Sequence, residues 1–169
     1  MTFLDEIEAS IPALRRYAHA LVRDRESADD LVQDCLERAI SRRAQWRAQG
    51  SLRGWLFRIL LNLFRDGKRR DAARGQLVAI DTELSQPATQ EDYLALREVH
   101  AAMGRLPADQ RAALLLVAVE GMSLVEAAHA LNIPEGTLAS RIARARTGLR
   151  AMTDHHERTP MKRWRQKDD

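Results

Sequence analysis

Cysteine and strand-forming patterns are both scarce in this sequence. Cys35 is the only cysteine among 169 residues, so no intramolecular disulfide and no cysteine-based metal cluster is possible, which is typical of a reducing cytosol. No long alternation of β-branched and aromatic residues occurs, and no Asn-Gly or Asp-Gly pair separates two such runs. Helical periodicity covers most of the chain instead, so we predict an all-α protein.

We also expect neither a signal peptide nor a membrane-spanning segment. The acids Asp5, Glu6 and Glu8 stand where a signal peptide would have a basic start and an apolar run. Among the longest apolar segments is Ala112–Val119, which is far too short to cross a bilayer. We therefore expect a soluble, cytoplasmic protein without membrane insertion.

Enzymatic motifs are absent as well. The histidines have no metal-ligand spacing, no glycine-rich phosphate loop follows a strand, and no nucleophile motif can be recognised. We expect no catalytic residue, no metal site and no cofactor, and hence a protein that is not an enzyme.

Charge is unevenly distributed, although the net charge is only +3. From Asp24 to Glu37 there are six acids and one arginine, whereas from Arg42 to Arg70 there are nine basic residues and one acid. A pI near 9.5 favours anionic partners. An acidic face and a basic face predict more than one kind of partner.

Seven helices and two small domains are predicted from the apolar spacing. The domains span 1–72 and 92–152, and the Ser-, Thr- and Gln-rich segment 73–91 reads as a flexible linker between them. The charged tail 153–169 is predicted to be disordered. The predicted helices are 3–23, 26–48, 51–73, 91–104, 107–120, 123–131 and 135–152.

The segment Ser123–Arg150 carries the pattern of a helix-turn-helix. Ser123 and Glu126 form a capping-box signature, and Leu124, Ala127, Ala128 and Leu131 give the first helix an apolar face. Asn132 suits a left-handed turn. In the second helix, the buried stripe would consist of Leu138, Ile142, Ala145 and Leu149. Another face carries the groups suited to phosphates and base edges, namely Thr137, Ser140, Arg141 and Arg144. An ordinary helical hairpin with a solvated basic face is the alternative.

An acidic helix and an aromatic–arginine block precede this element. The acidic helix, around Ser27–Ile40, carries polar side chains opposite its apolar face. These side chains form either a docking surface for a basic protein or ordinary solvated surface. They are Asp29, Asp30, Gln33, Asp34 and Glu37. In Trp46–Arg70, rings alternate with guanidinium groups, a combination that supports single-stranded DNA binding. Core packing of Trp55, Phe57 and Phe64 is the competing interpretation.

Together these segments resemble the extracytoplasmic-function (ECF) class of the sigma-70 family of RNA polymerase sigma factors. The resemblance rests on ADDLVQDCLERAI (28–40), GSLRGWLFRILLNLFRDGKRR (50–70) and residues 106–149. The pattern RGWLFRILLNLFRD is similar to the alphaproteobacterial general-stress-response branch. Membership implies core RNA polymerase, promoter DNA and an anti-sigma factor as partners.

The resemblance also implies roles for individual residues. The five polar residues of the acidic helix would bind core polymerase. The −35 promoter element would be read by Thr137, Ser140, Arg141 and Arg144. Residues of the aromatic–arginine block would open and hold the −10 element, namely Trp46, Arg53, Trp55, Arg58, Asn62, Arg65, Lys68, Arg69 and Arg70. In the family, Trp55 is largely a packing residue.

Two other functions remain possible at this level. A sigma-like mimic would sequester an anti-sigma factor without touching a promoter, but it would not need to keep Arg141 and Arg144. A stand-alone helix-turn-helix regulator would leave the acidic helix and the aromatic–arginine block without a purpose.

Overall fold

The N-terminal helices begin at side-chain caps, and they pack as a three-helix unit. The computed structural model describes residues 2–47, 50–75 and 90–153, with only the main chain for 90–93. Helix α1 spans Phe3–Val22 behind a Thr2–Asp5 capping box, α2 spans Arg25–Ser41 behind Asp24, and α3 spans Leu52–Ala73 behind Ser51. Each cap side chain accepts a hydrogen bond from a main-chain N–H of the first turn, which would otherwise lack a partner.

The C-terminal unit contains four helices around a shared apolar centre. Helix α4 spans Gln90–Arg105, α5 spans Ala108–Ala118, α6 spans Leu124–Leu131 and α7 spans Glu135–Thr153. Helix α7 packs against α4, α5 and α6. The turn between α6 and α7 is made by Asn132, whose φ of 54° lies in the left-handed region that asparagine tolerates.

The two units lie directly against each other. Helix α1 contacts α5 and α3 contacts α6, so the buried apolar residues of both units form one continuous cluster. Tyr17 of α1 is fully buried and packs edge-on against Phe57 of α3 with ring centroids 5.1 Å apart. We call this packing of α1 on α5 and of α3 on α6 the closed arrangement.

The all-α prediction is confirmed, and the helix positions agree closely with the sequence pattern. The prediction 26–48 was too long, because α2 ends at Ser41 and a separate 3-10 turn follows at Arg43–Gln45. The apolar face of α2 ends at buried Ala39, while Ile40 is 48% exposed, so no buried side chain extends the helix. In the described part of the chain, no helix is long and apolar enough to cross a membrane.

One member of the predicted apolar face of α6 is not buried. Leu124 is 46% exposed, whereas Ala127, Ala128 and Leu131 are buried as predicted. Leu124 is the first residue of α6, and the next residue, Val125, is 61% exposed, so the start of this helix lies in solvent. The predicted linker is described only at its ends, and residues 76–89 and the tail 154–169 lie outside the described residues.

Candidate nucleic-acid and polymerase interfaces

The outer face of α2 presents a row of polar side chains because its inner face is fixed by packing. Val32 and Cys35 are buried beneath the row. The row itself is exposed at four positions, namely Asp30, Gln33, Asp34 and Glu37. Gln33 donates a 3.0 Å hydrogen bond to Glu37 one turn later. This surface can accept cationic side chains of a partner over about two helical turns.

Asp29 differs from the other predicted polymerase-binding residues because α1 already engages it. One carboxylate oxygen lies 2.8 Å from His19 Nε2 and 3.4 Å from Arg15 Nη2. These contacts, led by the hydrogen bond with His19, hold the pKa of Asp29 below its ordinary value. Asp29 therefore ties α2 to α1 in this structure.

A groove of about 470 Å³ runs between α2 and α3 beside the acidic row. Asp30 and Asp34 line one side, Lys68 and Arg70 line the other, and Leu63 is among its apolar lining residues. Since acid, base and apolar surface lie side by side, the groove suits a protein helix that offers both charges and aliphatic side chains.

The aromatic part of the predicted −10 surface is a small ring cluster at the start of α3. Trp46 and Trp55 are half-buried with ring centroids 5.5 Å apart, and Phe3 of α1 lies 6.3 Å from Trp55. Phe57 is fully buried and Phe64 is 9% exposed, so both belong to the core. Stacking on a base is therefore open to the partly exposed tryptophans and not to these phenylalanines.

The polar part of that surface divides into two groups along α3. Asn62, Lys68, Arg69 and Arg70 are exposed to solvent. Arg53, Arg58 and Arg65 instead reach the C-terminal unit. The closed arrangement thus leaves only part of the predicted −10 surface open.

Helix α7 presents most of the predicted −35 surface. Thr137, Ser140 and Arg144 are exposed on one face, and Leu138, Ile142 and Ala145 are buried on another. Arg141 is different, because its side chain is 22% exposed and lies 3.5 Å from Asp109 of α5. Its Nη1 atom is buried without a hydrogen-bond partner.

Arg141 lines an open cleft of about 540 Å³ between the two units. Arg65, Lys68 and Arg69 of α3 line the same cleft, together with apolar Phe64 and Ile133. The closed arrangement therefore gathers cations of the predicted −10 and −35 surfaces around one space. Such a concentration of positive charge attracts anionic groups.

Glu120 and Arg16 hold the two units together, and neither was predicted from the sequence. Glu120 lies in the turn after α5 with its side chain fully buried, and Arg16 of α1 pairs with it at 2.8 Å. A single acid after an apolar helix carries no motif, so no local pattern distinguishes Glu120 from a surface residue.

The described residues contain no group of three His, Cys, Asp or Glu side chains placed to hold a metal ion. Cys35 is buried near the main-chain carbonyl of Leu56, and burial raises the pKa of its thiol to about 12. A thiol in this state is a packing group, not a nucleophile.

Two family descriptions match this chain, one in each unit. Residues 7–61 match the Sigma2 domain of PhyR, and residues 96–149 match region 4 of sigma-70. Over 151 residues the chain is 40% identical to an ECF RNA polymerase sigma factor, EcfG, from Rhodopseudomonas palustris (strain TIE-1). That alignment covers 88% of this chain and 83% of the relative.

Solved structures with the same fold include sigma factors and a sigma-like protein. The sigma factor RpoE, in complex with the anti-sigma factor NepR from Bartonella quintana, aligns with a TM-score of 0.76 and 31% identity over 90% of this chain and 97% of that one. The anti-anti-sigma factor PhyR, also complexed with NepR, aligns with a TM-score of 0.63 over 90% of this chain and 51% of that one. Because its identity is 18%, that second match shows the fold alone.

Proposed function

The chain belongs to the ECF family of RNA polymerase sigma factors, and from this membership we propose how its surfaces divide the work of promoter recognition. As a sigma factor it directs core polymerase to specific promoters and initiates transcription there. It acts through binding alone, without a catalytic residue or cofactor of its own, in the cytoplasm. Its N-terminal unit serves polymerase and the −10 element, and its C-terminal unit serves the −35 element.

The acidic row of α2 docks on core polymerase. The exposed carboxylates of Asp30, Asp34 and Glu37 support this assignment, since they lie along one face beside a groove with apolar lining. Asp29 contributes by fixing α2 on α1 through His19. We therefore assign to Asp29 the positioning of α2, and to Asp30, Gln33, Asp34 and Glu37 direct contact with core polymerase.

The −10 element is held by the start and the outer face of α3. Trp46 and Trp55 supply ring surface for an exposed base, while the cations along α3 bind phosphates. Asn62 is exposed on the same helix and offers both a donor and an acceptor to a base edge. The cations assigned to this element are Arg53, Arg58, Arg65, Lys68, Arg69 and Arg70.

The −35 element is read by α7 in the major groove. Thr137, Ser140 and Arg144 project from one exposed face, and Arg141 joins them when it leaves the cleft beside Asp109. Arginine forms bidentate hydrogen bonds with guanine, which makes Arg144 the strongest candidate for base recognition.

An anti-sigma factor is the proposed regulator. The likeness to RpoE, solved with the anti-sigma factor NepR, supports this partner and the stress-response branch. The match of 7–61 to the Sigma2 domain of PhyR keeps a second function in view, namely a mimic that only sequesters an anti-sigma factor. The exposed DNA-facing groups of α7 favour the sigma factor, because a mimic has no use for them.

Run-off transcription separates these functions. Fragmented genomic DNA of the source organism is transcribed by core polymerase with and without the protein, and the RNA 5′ ends are sequenced. A sigma factor yields new, reproducible start sites that share upstream sequence. A mimic or a stand-alone regulator yields none, and that result would reject the proposed function.

A further inference from the structure

The buried carboxylate of Glu120 joins the two units by accepting hydrogen bonds from two arginines of the N-terminal unit. Glu120 of the C-terminal unit has a fully buried side chain, and its two carboxylate oxygens accept hydrogen bonds from Arg16 at 3.1 and 2.8 Å. Arg53 of α3 donates 2.8 Å hydrogen bonds both to a carboxylate oxygen and to the main-chain oxygen of Glu120. Charge-assisted contacts of this kind are stronger than neutral ones.

Two more arginines of α3 contact the C-terminal end of α6. Arg65 donates a 2.8 Å hydrogen bond to the main-chain oxygen of Leu131, and Arg58 lies 3.5 Å from the side-chain oxygen of Asn132. The carbonyl groups at a helix C-terminus carry partial negative charge, so they attract a guanidinium group. Every acceptor in this set belongs to the C-terminal unit.

These acceptors occupy arginines that the proposed function assigns to DNA. A carboxylate presents two oxygens to a guanidinium much as a phosphate does. Arg53, Arg58 and Arg65 cannot use the same N–H groups for Glu120, Leu131, Asn132 and a DNA strand at once. The C-terminal unit and the −10 strand therefore compete for these three arginines of α3.

The promoter itself also requires the units to part. Elements named −10 and −35 are separated by about 25 base pairs, which is about 85 Å of duplex at 3.4 Å per base pair. In the closed arrangement α3 touches α6, which directly precedes the α7 assigned to the −35 element. One protein cannot read both elements while these helices remain in contact.

We propose that Glu120 is a latch that holds the chain in a self-masked state, in which hydrogen bonds to the C-terminal unit engage Arg53, Arg58 and Arg65 of α3. Opening the latch releases Arg53, Arg58 and Arg65 for the promoter. The masking of DNA contacts rests on the proposed function, whereas the latch rests on the contacts of Glu120 alone.

The test uses Arg16→Gln and Glu120→Gln in the full chain. Neither residue is assigned to DNA or polymerase, and Arg16 is 54% exposed, so its substitution leaves the core intact. Controls with the same charge change at exposed positions are Arg25→Gln and Glu8→Gln. Small-angle X-ray scattering measures opening, and fluorescence anisotropy measures binding to a labelled 12-nucleotide single strand of mixed sequence, which suffices because phosphate contacts are independent of sequence.

Both latch variants should have a larger radius of gyration than the wild type and the controls. Both should also bind the single strand more tightly, by up to about tenfold if about one molecule in ten is open beforehand. The Arg16→Gln result is decisive, because loss of a positive charge by itself weakens DNA binding. An increase in affinity can come only from unmasking.

Each other outcome overturns part of the proposal. An unchanged radius of gyration in both variants rejects the latch. Opening without a gain in affinity over the controls rejects the masking. Failure of the proposed function would appear separately, as absent run-off transcription by a protein that still opens and still gains affinity for the single strand.

Discussion

The hydroxyl group of Tyr17 in α1 donates a 2.9 Å hydrogen bond to the main-chain oxygen of Ala112 in α5. This bond joins the two units inside the core, where water cannot replace it. Burial raises the pKa of Tyr17 far above its ordinary value, so the hydroxyl stays protonated and remains a donor.

We predict that Tyr17→Phe lowers the free energy of unfolding by about 1 kcal/mol, the usual net contribution of one hydrogen bond. The ring still packs on Phe57, so the loss isolates the polar contact. Urea denaturation followed by circular dichroism measures it. An unchanged unfolding midpoint would show that the bond contributes nothing to stability.

Charge reversal on the acidic row should weaken polymerase binding. Asp34→Arg places a cation where a basic partner surface is expected, and we predict a loss of affinity for core polymerase of at least about tenfold. Fluorescence titration of core polymerase with labelled protein provides the measurement. Glu8→Arg makes the same charge change at an exposed site of α1 and should bind as the wild type does. Equal affinity for both variants would remove the acidic row from the interface.

The −35 assignment predicts different results for two arginines of α7. Arg144 is exposed on the proposed reading face, and Arg146 is exposed about 200° further round the helix. Arg144→Ala should reduce transcription from a promoter with an intact −35 element and cause little further loss when that element is scrambled. Arg146→Ala should reduce neither. Equal losses for Arg144→Ala on the intact and scrambled promoters would contradict recognition of the −35 bases.

Cys35 should resist thiol reagents for as long as the protein is folded. Its thiol is buried and its pKa is raised to about 12, so hardly any thiolate exists at about pH 8, where an ordinary cysteine begins to react. Ellman's reagent should label Cys35 only in denaturant. Ala44→Cys adds an exposed thiol in the 3-10 turn as a positive control, and it should react at once in the folded protein. Rapid labelling of the native wild type would contradict the packing of α2 on α3 within the N-terminal unit.

Unfolding should also become easier above about pH 9 because of the same thiol. The pKa in the folded state lies above the value of 9.0 for a free thiol, so the unfolded chain loses this proton first as the pH rises. The stabilising contribution is complete below that pH and declines above it. Urea titrations of the wild type and of Cys35→Ala measure the difference, and the pH dependence should be steeper in the wild type.

The sequence by itself determined the helices and their inner faces. The Ser123–Glu126 capping box and the left-handed turn at Asn132 are both present, because caps and turns depend on residues within a few positions of each other. The buried stripe of Leu138, Ile142 and Ala145 follows in the same way from the helical period. Leu149, the last predicted member, is only half-buried near the end of its helix.

Only the tertiary structure decided which polar groups meet. Asp29 pairs with His19 of α1, and Arg141 lies 3.5 Å from Asp109 of α5, although helical periodicity indicates neither contact. Arg16, Arg53 and Glu120 converge although the chain positions 16 and 120 are far apart, because α1 packs on α5 and α3 on α6. Periodicity describes one helix at a time, so it identifies the side that is buried but not the partner that covers it. The closed arrangement therefore arises from packing between helices, and it determines which of the proposed DNA contacts are exposed.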